Sequence, residues 1–370
     1  MTVPHARPRA LFFYAPALLD GGAERSWARL ASGFAARGDK ATFVVDFEAT
    51  QSAPFLAREV ALEVLPRGHL QSTRALARLI AARRPDATLS ALSAVNIKHA
   101  IAATLAGRRD RAILSYHGFS AAEPQRLSRI SYILTPLLTR LAAATVAVSA
   151  TLRHELIARY VAPERRVWAI YNPAAPEPFP PPVAAAAIAV RPKTIVALGR
   201  LAPAKDFATL LRAFARLGDR EARLVILGEG PERARLEAEA WALGVADRVE
   251  MPGFAADVAA RLEGARVFAL SSLSEAFSLA CVEALAHGVP VVATDCGGPA
   301  EILAGSEHGT LVPIGDVEAL ALGLAAALAD PGDPAPRQAR AREFSLQAAL
   351  DRYGALIDEV VTHARSPSSA

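Results

Sequence analysis

Hydrophobic positions in this 370-residue chain fall into short runs separated by stretches with helical spacing. In the first half the runs Leu11–Ala15, Thr42–Asp46, Ala87–Ala91, Ala112–Tyr116, Thr145–Ser149 and Val167–Tyr171 read as strands. Between them Arg25–Arg37, Ser72–Arg83 and Asn96–Leu105 carry apolar residues at helix period. A strand buried on both faces is apolar throughout, and strands that alternate with helices make a parallel sheet covered on both sides.

The pattern breaks at 172–182, where Asn172 opens a proline-rich segment. Proline lacks an N–H and fixes φ, so this stretch forms neither helix nor central strand and reads as an interdomain linker. Alternation then restarts. Strands are expected at Thr194–Leu198, Arg223–Leu227, Arg248–Met251, Val267–Ser271, Val289–Thr294 and Thr310–Val312. Helices are expected at Ala208–Leu217, Pro231–Leu243, Ala256–Glu263, Phe277–His287 and Val317–Ala329, with an amphipathic one at Leu346–Thr362 and a frayed end at Ser366–Ala370. The fold class is α/β, with two doubly wound Rossmann-like domains, 1–175 and 176–345. Such sheets bind ligands beyond the carboxyl ends of their strands, so two of them facing each other make a cleft.

Composition narrows the class. Hydrophobic content of 52% and mean hydropathy of +0.23 exclude disorder. Residues 1–180 hold 23 lysines and arginines against 13 acids, a net +10, which leaves −6 for the remainder. A basic first half suits an anionic partner, such as a membrane surface or a phosphorylated acceptor, or is a solvated arginine-rich surface. Aromatic residues are only 6% and do not interleave with the basic ones, which speaks against nucleic acid. Cys281 and Cys296 make neither a disulfide framework nor a metal site, so a cytoplasmic location is expected. The apolar run after Arg7 and Arg9 leads straight into Gly21-Gly22 and reads as a first strand in preference to a signal peptide. No run approaches the roughly 20 residues of a membrane span.

The densest chemistry lies in Ser274–Ala293. The helix expected there is apolar almost all round, yet it carries Glu283, and Glu275 stands just before it. A carboxylate on a buried helix is costly unless paired, and the unpaired N–H groups of a helix start attract anions. Two carboxylates for sugar hydroxyls beside a helix terminus for phosphate suit a nucleotide-sugar. Gly199-Arg200 and Lys205 follow the first strand of the second half, and two cations there can neutralise a diphosphate leaving group.

Other motifs have two readings each. Gly21-Gly22 allows close backbone approach or simply a tight strand–helix turn. His117, after a strand and before Gly118, is a sugar or phosphate contact or a structural histidine. Gly228-Glu229-Gly230-Pro231 is explained by turn geometry. Phe254 borders a nucleobase or belongs to the core. The Gly297-Gly298 turn lines the pocket without a chemical role. Arg126–Ala144, basic at intervals and otherwise apolar, is a membrane-surface segment or a core helix broken near Pro136; core is the preferred reading.

In this order these motifs resemble the retaining GT-B glycosyltransferases of family 4, over nearly the whole chain. The resemblance rests on Gly21–Arg25, Ala147–Ser149, Tyr171–Pro173, Gly199-Arg200 with Lys205, Gly228–Pro231 and, most specifically, Glu275 to Glu283. It implies that Glu283 holds the ribose hydroxyls, Glu275 the transferred sugar, and Arg200 and Lys205 the diphosphate. Backbone groups at Ala276, Phe277, Ser278 and Leu279 would meet sugar and phosphates, and His117 would approach the sugar from the first domain. Gly21, Gly22, Gly199 and Phe254 complete the expected donor contacts. Glu275, His117, Arg200 and Lys205 are the expected catalytic group.

The resemblance also implies a final helix, 346–364, packed back on the acceptor-side first domain, and chemistry without metal or other cofactor. No Asp-x-Asp element is present. The expected reaction moves a hexose or N-acetylhexosamine from a UDP-sugar to a glycan or lipid-linked acceptor in surface-glycan or glycolipid synthesis, at the inner face of the membrane. A sugar-nucleotide epimerase and a non-catalytic nucleotide-sugar-binding subunit are the alternatives. The usual Glu-Gly-Phe-Gly is Glu275-Ala276-Phe277-Ser278 here, which bears on the sugar accepted and puts a hydroxyl beside it.

Overall fold

The apolar runs become strands where both sheet faces are covered, and the covering helices come from the segments between them. A computed structural model describes residues 7–18, 21–49, 53–122, 126–255 and 257–364. The expected frayed end at Ser366–Ala370 and the expected helix start at Ala256 lie outside the described residues. The chain divides into two compact units. One holds residues up to Pro173 and the helix from Leu346 onward; the other is Ala174–Ser345.

In chain order the first unit contains β1 (Ala10–Ala15), α1 (Gly22–Ala36), β2 (Lys40–Val45), β3 (Ala61–Val64), α2 (His69–Arg83), β4 (Ala87–Ala91) and α3 (Ser93–Leu105). Then follow β5 (Ala112–Tyr116), α4 (Arg126–Ile133), α5 (Thr135–Leu141), β6 (Ala144–Ala147), α6 (Ala150–Ala158) and β7 (Val167–Ala169). Its strands run parallel in the order β3-β2-β1-β4-β5-β6-β7, with Phe13 of β1 opposite Phe43 of β2 and Leu89 of β4. The order of strand addition reverses at β1/β4, the switch point where such sheets open for ligands. One sheet face is covered by α1 and the C-terminal helix Leu346–His363, which bury Trp27, Phe34, Leu350, Tyr353 and Ile357 with Phe13 and Phe43. The other face is covered by α2, α3 and α5.

Arg9 pins this arrangement at the start of β1. Its guanidinium, buried with Asp39, donates from Nη2 to Asp39 at 2.6 Å and from Nη1 to Asp358 of the C-terminal helix at 2.8 Å. Strand β3 escaped the sequence pattern because it is a mostly exposed edge strand, with Leu62 and Val64 facing water.

Helices α4 and α5 bear out the core reading of Arg126–Ala144 on their inner side, where Tyr132, Leu138 and Ala142 are buried, but not on the outer one. The helix breaks at Leu134, two residues before Pro136, and its two sides are mixed in polarity. Ser128, Ser131, Thr135 and Thr139 face inward with Tyr132 and Leu138, while Ile130, Ile133 and Leu137 are exposed. The inner hydroxyls have a use, since Ser131 and Thr135 lie within hydrogen-bond range of the buried Tyr116 hydroxyl.

In the second unit a short helix, α7 (Ala185–Ala189), precedes β8 (Thr194–Leu198), α8 (Phe207–Ala215), β9 (Arg223–Leu227), α9 (Arg233–Ala242), β10 (Val249–Gly253) and α10 (Val258–Gly264). Then follow β11 (Val267–Leu270), α11 (Leu279–Ala286), β12 (Val291–Thr294), α12 (Gly298–Ile302), β13 (Gly309–Val312), α13 (Val317–Ala329) and α14 (Pro334–Arg342). The six strands run parallel in the order β10-β9-β8-β11-β12-β13, again with a switch point, at β8/β11. The core joins Ile195, Ile226, Phe214, Leu211, Val292 and Leu324. Helix α14 was hidden because all nine of its residues are Pro, Ala, Arg or Gln, with little apolar stripe. It is held by side-chain bonds instead: the buried Arg337 donates to Gly288 O at 2.9 Å and Gln338 to Ala286 O at 2.9 Å. Among the described residues no helix is long and apolar enough to cross a membrane.

Candidate active site

The carboxyl ends of β8 and β11 carry the residues that the sequence singled out. After β8 the chain passes through Gly199 and Arg200 into a single turn, Pro203–Lys205, and Asp206 then caps α8 by accepting from Thr209 N at 3.3 Å. The neighbouring turn explains the glycines at 228 and 230. Gly230 packs directly on the 201 backbone: a Cβ there would lie 2.2 Å from Leu201 O. Leu201 N donates to Glu229 O at 2.8 Å, so the two loops are stitched together. Turn geometry is thus sufficient reason for this motif.

Lys205 reaches across Gly199, with its Cε 3.1 Å from where a Gly199 Cβ would sit, and its Nζ pairs with Glu275 Oε1. The Ser272 hydroxyl donates to the same carboxylate oxygen at 2.9 Å. Three further bonds fix this loop. Leu273 N donates to Ala204 O at 2.8 Å, Ser271 Oγ to Lys205 O at 2.8 Å, and Thr294 Oγ1 to Ser272 O at 2.6 Å. Glu275 N donates to Cys296 O, and Gly298 N donates to Glu275 O, a bridge between the loop after β11 and the turn after β12. A Cβ at Gly298 would lie 2.6 Å from Ala276 O, so this approach needs glycine. The Glu275 carboxylate is therefore held by a rigid frame and reaches solvent with only 13% of its side chain.

Ala276 and Phe277 are buried, the latter edge-on to Phe344 at 5.5 Å. Helix α11 starts at Leu279, two residues later than the expected Phe277, because Ser278 is its N-cap. The Ser278 hydroxyl accepts from Cys281 N at 3.4 Å and is buried. The Ser278 hydroxyl thus caps the helix with its oxygen and keeps its O–H to donate. Glu283 sits half-buried in the second turn of α11. The thiols of Cys281 and Cys296 are buried and pushed up by burial, to about 12 and about 11, so neither is a nucleophile.

Arg200 is exposed on the same strand edge, and among the described residues it has no ion-pair partner. Phe254 follows β10 and is 72% exposed, which removes its core reading. Strand β9 separates β10 from β8, so Phe254 follows a strand two places from β8.

In the first unit Gly21 is the N-cap residue of α1, and the buried Glu24 folds back over it; a Cβ at Gly21 would meet Glu24 Oε2 at 2.1 Å. Gly22 opens the helix. His117 follows β5 with Nε2 2.9 Å from Ser115 Oγ and its ring 5.4 Å edge-on to Trp27. Its Nδ1 is out of solvent and has no hydrogen-bond partner among the described residues. Burial lowers its pKa from 6.5 to about 3, so the ring is neutral at physiological pH and can donate or accept one bond. An orphaned buried nitrogen at a ligand edge is a place for a bound group to complete.

The structure thus brings together Lys205, Glu275, Gly199 and the start of α11 with Ala276, Phe277, Ser278 and Leu279. It leaves Arg200 and Phe254 on the rim, and Gly21, Gly22 and His117 in the other unit. Sequence reasoning missed Ser272 and Thr294. The Ser-x-x-Glu spacing of Ser272 and Glu275 was the available signal for the first. Among the described residues no cluster of three or more His, Cys, Asp or Glu side chains could hold a metal ion.

Comparison with known proteins places these features in context. The model of the family "Glycosyl transferases group 1" matches residues 183–345, and that of "Glycosyltransferase Family 4" matches 20–177. A lipopolysaccharide core biosynthesis glycosyltransferase, LpsE of Rhizobium meliloti, is 35% identical over 164 residues, 43% of this chain and 48% of that protein. The 2-deoxystreptamine N-acetyl-D-glucosaminyltransferase of Niallia circulans is 32% identical over 35% of this chain and 34% of its own length. These matches span less than half of each curated relative. Among solved structures, Anabaena Alr3699/HepE in complex with UDP superposes with a TM-score of 0.81 at 19% identity, covering 95% of this chain and all of that one. Sucrose-phosphate synthase from Thermosynechococcus elongatus gives 0.79 at 19% identity, over 96% and 100%.

Proposed function

The chain belongs to the family 4 glycosyltransferases of GT-B fold, and from that premise we propose that it moves a glycosyl group from a nucleotide-sugar to an acceptor hydroxyl. The observation that carries this reading is the Lys205–Glu275 pair, held by Ser272 on the carboxyl edge of the second sheet. It sets a cation for a leaving diphosphate against a carboxylate for the attached sugar. Arg200 on the rim supplies the second cation, and Glu283 on α11 reads the ribose.

The donor is a UDP-linked hexose or N-acetylhexosamine; the UDP bound in the Anabaena structure supports the base. The reaction retains anomeric configuration and needs no metal. The acceptor attacks on the face from which the diphosphate departs, and Lys205 and Arg200 offset the charge that develops there. The leaving phosphate can take the acceptor's proton. His117 offers a neutral hydrogen bond, and the first unit binds the acceptor. The printed names of relatives in lipopolysaccharide core and colanic acid biosynthesis support a surface glycan as product.

A panel of nucleotide-sugars scored for binding and slow hydrolysis tests the proposal. Glu283→Ala and Lys205→Ala should each lower transfer by orders of magnitude with the fold preserved. Near-normal turnover in both purified variants rejects the assignment.

A further inference from the structure

A line of buried polar side chains runs through the first sheet to His117. Thr88 and Ser90 of β4 meet His99 and Asn96 of α3. Ser115 stands one residue before the end of β5 and His117 just past it, so their side chains share one side of the strand, the side that Trp27 covers. Thr88, Ser90, Asn96, His99 and Ser115 are all buried, so each polar atom there needs its partner inside the protein.

The protons of this line can be traced. Asn96 Nδ2 donates to Ser115 O at 3.0 Å, and because a carbonyl only accepts, this bond orients the amide. Asn96 Oδ1 then accepts from Ser90 Oγ at 2.8 Å and from Ser115 N at 3.4 Å. Ser90, its proton given to Asn96, accepts from His99 Nδ1 at 2.8 Å, so the Thr88 hydroxyl donates to His99 Nε2 at 2.7 Å. Asn96 thus grips Ser115 by both its N–H and its C=O. The Ser115 hydroxyl makes one hydrogen bond among the described residues, to His117 Nε2 at 2.9 Å. Tyr353 Oη is the competing acceptor. Burial raises its pKa and the nearby Ser115 offsets part of the rise, yet Oη has no hydrogen-bond partner among the described residues. The serine proton therefore goes to Nε2, and the one proton of the neutral ring stands on Nδ1.

We propose that Ser115 is a positioning residue that holds His117 as the Nδ1–H tautomer, so that His117 gives the nucleotide-sugar a hydrogen bond and does not act as a base. This rests on the proposed place of His117 beside the transferred sugar. Nδ1 is out of solvent and has no partner among the described residues, as suits a donor that a ligand oxygen completes. A sugar hydroxyl or a phosphate oxygen accepts such a proton. The bare nitrogen of the ring is Nε2, which Ser115 occupies, so the proton lost by the attacking hydroxyl goes to the departing phosphate.

Nitrogen-15 labelling of histidine in the full chain, with long-range proton–nitrogen correlation, reads the tautomer; His117 is assigned by its loss in His117→Gln. The wild type should show a protonated Nδ1 and a bare Nε2 at His117. Ser115→Ala should admit the Nε2–H form, whereas Ser115→Thr and Tyr353→Phe should keep the wild-type pattern. Slow hydrolysis of UDP-glucose reads the consequence. Losing one neutral hydrogen bond should lower turnover in Ser115→Ala about 2- to 12-fold with UDP affinity unchanged, and Ser115→Thr should restore it. The proposal is overturned by a protonated Nε2 in the wild type, or by a Ser115→Ala variant with unchanged tautomer or unchanged turnover. An equal loss of turnover and UDP affinity overturns it as well, since that marks a merely structural serine. If Ser115→Ala does not fold, the wild-type, Ser115→Thr and Tyr353→Phe spectra decide. The tautomer is read without substrate, so a wild type that hydrolyses no UDP-sugar counts against glycosyl transfer and not against the Ser115–His117 assignment.

Discussion

Lys205→Met, read against Glu275→Gln, separates a diphosphate grip from a structural ion pair. In the resting structure the Lys205 ammonium is engaged by Glu275, while Ser272 donates to the same oxygen. Removing the ammonium leaves a mostly buried carboxylate with the serine hydroxyl. A fully buried broken pair costs about 3–5 kcal/mol, but Lys205 is 27% exposed, so screening brings the expected loss to about 2 kcal/mol. A charge-assisted hydrogen bond to phosphate contributes about 1.5–3 kcal/mol, so Lys205→Met should weaken UDP binding by about 10- to 150-fold. Glu275→Gln acts in the opposite sense on UDP. It releases the ammonium from its competitor, so UDP should bind as tightly as in the wild type or up to about fivefold tighter, an effect of about 1 kcal/mol. The same variant should lose the extra affinity for the UDP-sugar over UDP and most turnover. Calorimetric titration with UDP and with the UDP-sugar reads both effects. Equal UDP affinity in wild type and Lys205→Met would remove Lys205 from the diphosphate site.

Three other outcomes follow from buried groups and close contacts. Burial lowers both His99, held between Ser90 and Thr88 hydroxyls, and His117 from 6.5 to about 3. Between those values the unfolded chain takes up more protons, so stability is complete above about pH 6.5 and falls as pH drops, by up to about 1.4 kcal/mol per pH unit for each ring; urea titrations of wild type and His117→Asn should show a shallower acid slope in the variant. Asp39→Ala strands the buried Arg9 guanidinium with only Asp358, and should cost about 3 kcal/mol in urea unfolding while leaving UDP affinity unchanged. Gly230→Ala places a methyl 2.2 Å from Leu201 O, so it should destabilise the second unit by about 2 kcal/mol or more and weaken UDP binding by displacing Arg200; a melting temperature equal to wild type would refute the close packing.

Strands buried on both faces were legible because nothing but packing decides them. Ala87–Ala91, Ala112–Tyr116, Thr194–Leu198 and Arg223–Leu227 coincide with the structure end to end. Elements stabilised by polar contacts were not. Helix α14 is held by Arg337 and Gln338, and the outer face of α4–α5 leaves Ile130, Ile133 and Leu137 exposed. A hydrophobic pattern gives the period of a helix but not which side faces in when hydroxyls can satisfy a buried tyrosine. That is why the core reading of Arg126–Ala144 holds for Tyr132 and Leu138 but not for Ile130, Ile133 and Leu137.

The candidate site divides in the same way. Charges stand out in an apolar sequence, so Lys205, Glu275 and Glu283 were visible, whereas Ser272 was not and Ser278 was visible without its capping role. Ser272 and Ser278 are identical in type and six positions apart, yet one hydroxyl donates to the Glu275 carboxylate and the other accepts from the backbone of α11. Only the neighbouring geometry distinguishes them. Ser272 is a buried donor with a single carboxylate oxygen in reach, so Ser272→Ala leaves that oxygen to Lys205 alone and lets Glu275 swing. The expected signature is a loss in turnover larger than the loss in UDP affinity, because UDP has no sugar for Glu275 to hold. A proportionate fall in both would mean instead that Ser272 merely supports the loop.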